Sequence, residues 1–110
     1  MQLESAVSKC IRAHFYVPAS LDVERFKKNL LHLAGGYTVH PTAWGVWQDG
    51  ADKVEEPVHV YEAVVTGKHF SYVLEHSQVA MAKLMYDNPK EKCAMAVVNG
   101  RCVTLTRKDN

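Results

Sequence analysis

Several absences set the first limits on what this 110-residue chain does. Its three cysteines, Cys10, Cys93 and Cys102, are odd in number and show no CxxC spacing. That excludes a disulfide framework and a zinc ribbon, and we expect reduced, mostly buried thiols. Charge of one sign is not in excess, because 13 Lys plus Arg face 12 Asp plus Glu. The balance offers no electrostatic footprint for DNA, RNA or an anionic membrane. No stretch approaches the roughly 20 apolar residues of a spanning helix, and residues 1–10 lack a signal-peptide layout. A cytoplasmic protein is the expectation. There is no GxSxG and no P-loop, and Gly35-Gly36 follows a helical stretch, which makes it a C-cap rather than a phosphate cradle. The six histidines, His14, His32, His40, His59, His69 and His76, show neither HxxxH nor HxH spacing. No metal and no cofactor are expected.

What is present reads as alternating strands and helices. After a lead-in over residues 1–8, Lys9 to Val17 alternates, with Ile11, Ala13, Phe15 and Val17 on one side and Cys10, Arg12, His14 and Tyr16 on the other. Pro18 ends this strand. Ser20 is the expected N-cap of a helix whose apolar stripe is Leu21, Phe26, Leu30, Leu33 and Ala34, ended by Gly35-Gly36. Tyr37 to Trp47 and Val54 to Val65 are two β-type stretches around turn residues 48–52. Phe70, Val73, Leu74, Ser77, Met81, Leu84 and Met85 repeat at helical spacing until Asn88-Pro89. Residues 93–98 and 101–106 then flank Asn99-Gly100, a type I′ hairpin signal. A two-residue turn there pairs Cys102 with Val97, so Cys93 and Cys102 are out of register for a bridge. Residues 107–110 form a polar tail.

The order is β-α-β-β-α-β plus one strand over residues 9–106, the pattern of a single ferredoxin-like α+β sandwich. Right-handed crossovers place both helices on one face of an antiparallel sheet. The other face is then bare, carrying some of His14, Tyr16, Tyr61 and the valines of the third strand. Such a patch marks an interaction site, and a second subunit is the expected cover.

The candidate chemistry lies in the central hairpin. From Pro57 onward Val58, Val60, Glu62 and Val64 share a face, so Glu62 is a carboxylate in an apolar row; the sequence leaves open whether it serves core, site or subunit contact. Glu55 and Glu56 stand just upstream, and Trp44 and Trp47 lie across the turn. Aromatic faces and carboxylates together suit a cation such as a sulfonium or an amine, and do not suit an anion.

His14-Phe15-Tyr16-Val17 in the first strand, and Glu55-Glu56 leading into Val58-His59-Val60, resemble the opening strand and the paired glutamates of the small phage enzymes that degrade S-adenosylmethionine. That resemblance, over about residues 13–98, implies a cofactor-free homotrimeric lyase in the host cytoplasm, with substrate held between neighbouring sheets. The substrate's own carboxylate attacks its γ-carbon and releases 5′-methylthioadenosine and homoserine lactone. It implies Glu56 as the group holding the ammonium or sulfonium, with Glu55 its competitor. Tyr37, Tyr61 or Tyr16 orients the substrate, and Trp44 or Trp47 packs against adenine or the sulfonium; Glu62 joins the substrate-binding set. Where that family has a tyrosine on the strand before the glutamates, this chain has Trp44, Gly45 and Trp47. The other reading is a non-catalytic ferredoxin-like module that binds a ligand or protein partner on the same bare face.

Overall fold

A computed structural model describes residues 2–108, which places Met1, Asp109 and Asn110 of the expected lead-in and tail outside the described residues. The elements are β1 (Cys10–Pro18), α1 (Glu24–Ala34), β2 (Thr38–Asp49), β3 (Asp52–Thr66), α2 (Phe70–Asp87), β4 (Cys93–Val98) and β5 (Arg101–Thr106). They form one antiparallel sheet in the order β2-β3-β1-β4-β5. This is the expected ferredoxin-like arrangement, with β5 added beyond β4. The Asn99-Gly100 turn has positive φ at both residues, 45° and 79°, as a type I′ turn requires.

Period-two alternation decides what each strand gives to the core. Ala13, Phe15 and Val17 of β1 and Tyr61, Ala63 and Val65 of β3 are buried with Phe26, Leu30 and Leu33 of α1 and Val73, Ala80, Met81 and Leu84 of α2. Phe26 is the hub. Its ring meets Phe15 edge-on at 5.3 Å and Tyr61 edge-on at 5.1 Å, so one side chain of α1 is keyed to both central strands. Each such pair adds about 0.5–1.5 kcal/mol beyond the area it buries.

One helix-end detail differs from expectation. Ser20 is not the N-cap, because residues 19–21 are taken up by a turn in which the Leu21 N–H donates to the Pro18 carbonyl. The Asp22 side chain instead accepts the Glu24 N–H at 3.2 Å. Asn88 fastens this corner: its side chain accepts the Asp22 N–H and donates to the Asp22 and Leu84 carbonyls, tying the start of α1 to the end of α2. Beside it Arg25 grips Asp87 with two guanidinium nitrogens, an arrangement that holds the Asp87 carboxyl below the usual aspartate range. Gly35, at φ 72°, closes α1 as the sequence indicates.

The cysteines depart further. Cys10, Cys93 and Cys102 are free but exposed, because all three lie on the sheet face opposite the helices. Cys93 stands opposite Thr106 and Cys102 opposite Val97, out of register as expected. Among the described residues no helix is long and apolar enough to cross a membrane.

One core position is under-satisfied. Ser77 is fully buried in α2 and its hydroxyl has no hydrogen-bond partner. Ser77→Ala removes that desolvated group and improves helix propensity, so it is expected to raise the unfolding free energy by about 1 kcal/mol. A urea midpoint that moves up at constant m-value is the check.

Candidate functional site on the uncovered sheet face

The face without helices carries His14 and Tyr16 from β1, Val58, Val60, Glu62 and Val64 from β3, and Met95 and Val97 from β4. Tyr16, Val64 and Met95 are exposed there. At its centre His14 and Glu62 are direct cross-strand partners, and His14 Nε2 lies 2.6 Å from Glu62 Oε2. Glu62 is therefore on the uncovered face, and its carboxyl has a local partner within the same chain.

The second half of this face is a two-stranded arm. β3 pairs with β1 only from Val58 to Thr66, so residues 52–57 pair with β2 alone. The arm's facing is set by a bulge. His40 is opposite Val60, yet Ala43 is opposite Val58, so β2 advances three residues while β3 retreats two. Pro41, which has no N–H to give a ladder, sits inside this step. Without the extra residue Trp44 would share the face of Val58; with it Ala43, Gly45 and Trp47 do. Trp47 lies over Gly45 and shields Val58, and a Cβ on Gly45 would fall 2.6 Å from the indole and 2.7 Å from the Val58 methyl. Trp44 points to the opposite side of the arm and is 60% exposed.

The paired glutamates are split by the same alternation. Glu56 is opposite Gly45 and shares the uncovered face with Trp47, whereas Glu55 is opposite Val46 on the reverse side and pairs with Lys53 at 3.6 Å. A further carboxylate, not singled out by sequence reasoning, joins Glu56. Glu91, in the turn between α2 and β4, has its carboxyl raised first by burial and then by the charge of Glu56. Its backbone carbonyl accepts from Arg107, and it lines a groove with Ser20, Leu21, Asn88 and Pro89. Between Lys90 and Lys92 it reads as a solvated loop residue, so no local signal reveals it. Lys92 in turn reaches Asp49 of the arm at 3.8 Å.

Not every expected site residue gathers here. Tyr61 does not lie on the bare face: it is 2% exposed, packed beneath α1, where burial raises its phenol above the ordinary range. Tyr37 packs beside it, with ring centres 5.8 Å apart. Its neighbour Thr38 is opposite Glu62, six residues along β3 from Glu56, a separation of roughly 20 Å. One subunit thus does not bring Tyr37 or Tyr61 to Glu56. The tyrosine on the correct face is Tyr16, opposite Val60. Glu62 and Glu56 share a row, also roughly 20 Å apart, and so form two separate acidic positions. The result is a face with Glu56 and Trp47 at one end and the His14–Glu62 pair, among valines, farther along.

No protein-family model and no curated protein sequence matches this chain. Its fold is similar to that of a phage S-adenosylmethionine lyase solved in complex with S-methyl-5′-thioadenosine, at a TM-score of 0.67 and 12% identity, covering 97% of each chain. It is also similar to the divalent ion tolerance protein CutA1 from Ehrlichia chaffeensis, at 0.53 and 12%, covering 96% of this chain and 87% of the other. CutA from Synechococcus elongatus matches at 0.51 and 11%, covering 92% and 80%.

Two outcomes test the site geometry. In a Trp44→Phe background, Gly45→Ala is expected to displace the Trp47 indole and shift its emission to the red, since the added methyl occupies the ring's position. Glu91→Gln is expected to raise the melting temperature at neutral pH. A carboxyl raised in the fold binds its proton more tightly there than when unfolded. Wild-type stability therefore falls as pH rises through the window from the unfolded to the folded pKa, and the variant's advantage should vanish below that window. Melting curves from acidic to neutral pH decide it. Taken together, the observations assign the chain the ferredoxin-like fold that the CutA proteins and the phage lyase share.

Proposed function

We propose that this chain is an S-adenosylmethionine lyase that works without a cofactor. The observation that carries the reading is Glu56 and Trp47 on the uncovered sheet face, with the Glu91 carboxyl under the influence of the Glu56 charge, in a fold that matches the phage lyase along nearly its whole length. The substrate is a cation at both its sulfonium and its ammonium. Carboxylates beside an indole attract such charges and give no hold on an anion.

The chemistry asks little of the protein. A substrate carboxylate oxygen bonds to the γ-carbon, the carbon–sulfur bond breaks, and its electron pair returns to sulfur. The products are neutral 5′-methylthioadenosine and homoserine lactone, whose amine keeps its protons. Neither water nor a protein nucleophile enters. What the site supplies is a folded-back substrate with carboxylate and γ-carbon in line, a contribution that orientation alone makes worth several kcal/mol. In this reading Glu56 fixes the ammonium or sulfonium, Glu91 adds a second anchor, Trp47 packs on the adenine or sulfonium, and Tyr16 offers a phenol from the same face. Glu55 faces away, Tyr61 stays in the core and Tyr37 packs half-buried beside it.

The proposed working form is a homotrimer in which further copies cover the apolar field and close the site against water. A second reading, a ferredoxin-like binding module without turnover, is favoured by the likeness to the two CutA proteins. Incubation of the purified protein with S-adenosylmethionine, followed by chromatography, separates them. The lyase gives methylthioadenosine with homoserine lactone, and Glu56→Gln lowers kcat by roughly 100-fold or more while oligomeric state is unchanged. Thermal stabilisation by a ligand that survives prolonged incubation sinks the lyase and leaves the module.

A further inference from the structure

The helix layer carries a pair of imidazoles that the sheet-face site does not use. α1 and α2 run antiparallel, so Arg25 at the start of α1 meets Asp87 at the end of α2, and His32 near the end of α1 meets His76 in the second turn of α2. The two imidazole centres are 6.3 Å apart with their planes inclined at 47°. We propose that His32 and His76 form a two-imidazole site for a divalent transition-metal ion, clipping the end of α1 to the start of α2.

The separation fits one ion shared by two rings. A metal sits roughly 2.0–2.1 Å from an imidazole nitrogen, hence roughly 3.2 Å from the ring centre. Two rings on one ion are then roughly 5.2 Å apart at a tetrahedral angle and roughly 6.4 Å apart when trans. The observed 6.3 Å lies within this range, near its trans end, and His32 is exposed. His76 is already held, because Tyr72 packs on its ring at 4.1 Å, and Lys68 lies over the other aromatic ring at 4.8 Å. A contact on the ring face leaves the nitrogens at the rim available. Among the described residues no third His, Cys, Asp or Glu side chain completes the group, so water fills the remaining positions. That donor set, neutral nitrogen with open positions, suits Ni²⁺, Cu²⁺ or Zn²⁺ rather than Mg²⁺ or Ca²⁺.

Of the other histidines, His14 is engaged with Glu62 on the far face of the sheet, and His69 is the N-cap residue seven positions before His76. His69 supplies the control. Titration of the whole chain with nickel chloride, by calorimetry and thermal unfolding, is expected to give one ion per chain and a raised melting temperature. His32→Ala and His76→Ala should each weaken binding by at least the roughly 10- to 100-fold that loss of a supporting partner costs a metal site. His69→Ala should leave it unchanged. Affinity that survives either single alanine variant overturns the site, and so does the absence of heat and of any melting shift at millimolar nickel. Both variants alter residues outside the buried core, and their metal-free melting temperatures verify that the helix pair is intact.

Discussion

The edge-on contact of Phe26 with Phe15 and Tyr61 fixes more of this molecule than any other interaction. Once those two strand rings turn toward α1, alternation gives β1 and β3 no choice about their other residues. His14, Tyr16, Val60 and Glu62 must face away from the helices. The same event therefore builds the core and exposes the apolar field, so core and candidate site are two sides of one decision. Antiparallel pairing then carries the choice outward, from β1 to β4 and from β4 to β5, and sets the three thiols on the uncovered side.

The bulge between His40 and Ala43 is a second, local decision laid over the first. By inserting one residue it exchanges the faces of the two indoles, so that Trp47 rather than Trp44 comes to lie above Gly45 and beside the strand row that ends in Glu56. A glycine is suited to that position because the ring takes the space of a side chain. The loop after α2 then places Glu91 where burial first, and the charge of Glu56 second, raises its carboxyl.

The same scaffold serves proteins as different as a phage lyase and the CutA proteins, which is what a split βαβ sandwich allows. Its helices and sheet supply rigidity, while the free face and the arm are open to variation. The His32–His76 pair lies in the other layer, where the antiparallel helices bring the end of one to the start of the other.

Much of this was legible in the chain itself, since it rests on local patterning. The strand and helix order, the Gly35 terminus of α1, the Asn99-Gly100 turn, the register of Cys102 with Val97, and the shared face of Val58, Val60, Glu62 and Val64 all follow from period and turn chemistry. The single uncovered face follows from the topology those elements imply. What only the tertiary structure decided are the relations between segments distant in sequence: Tyr61 in the core and not on the bare face, exposed rather than buried thiols, and the Glu91 carboxyl raised by burial and by the charge of Glu56. The exchange of Trp44 for Trp47 belongs with them, because a bulge depends on how two strands pair. Alternation tells which residues share a side of a strand. Only the packing of helices against that strand tells which side is inside.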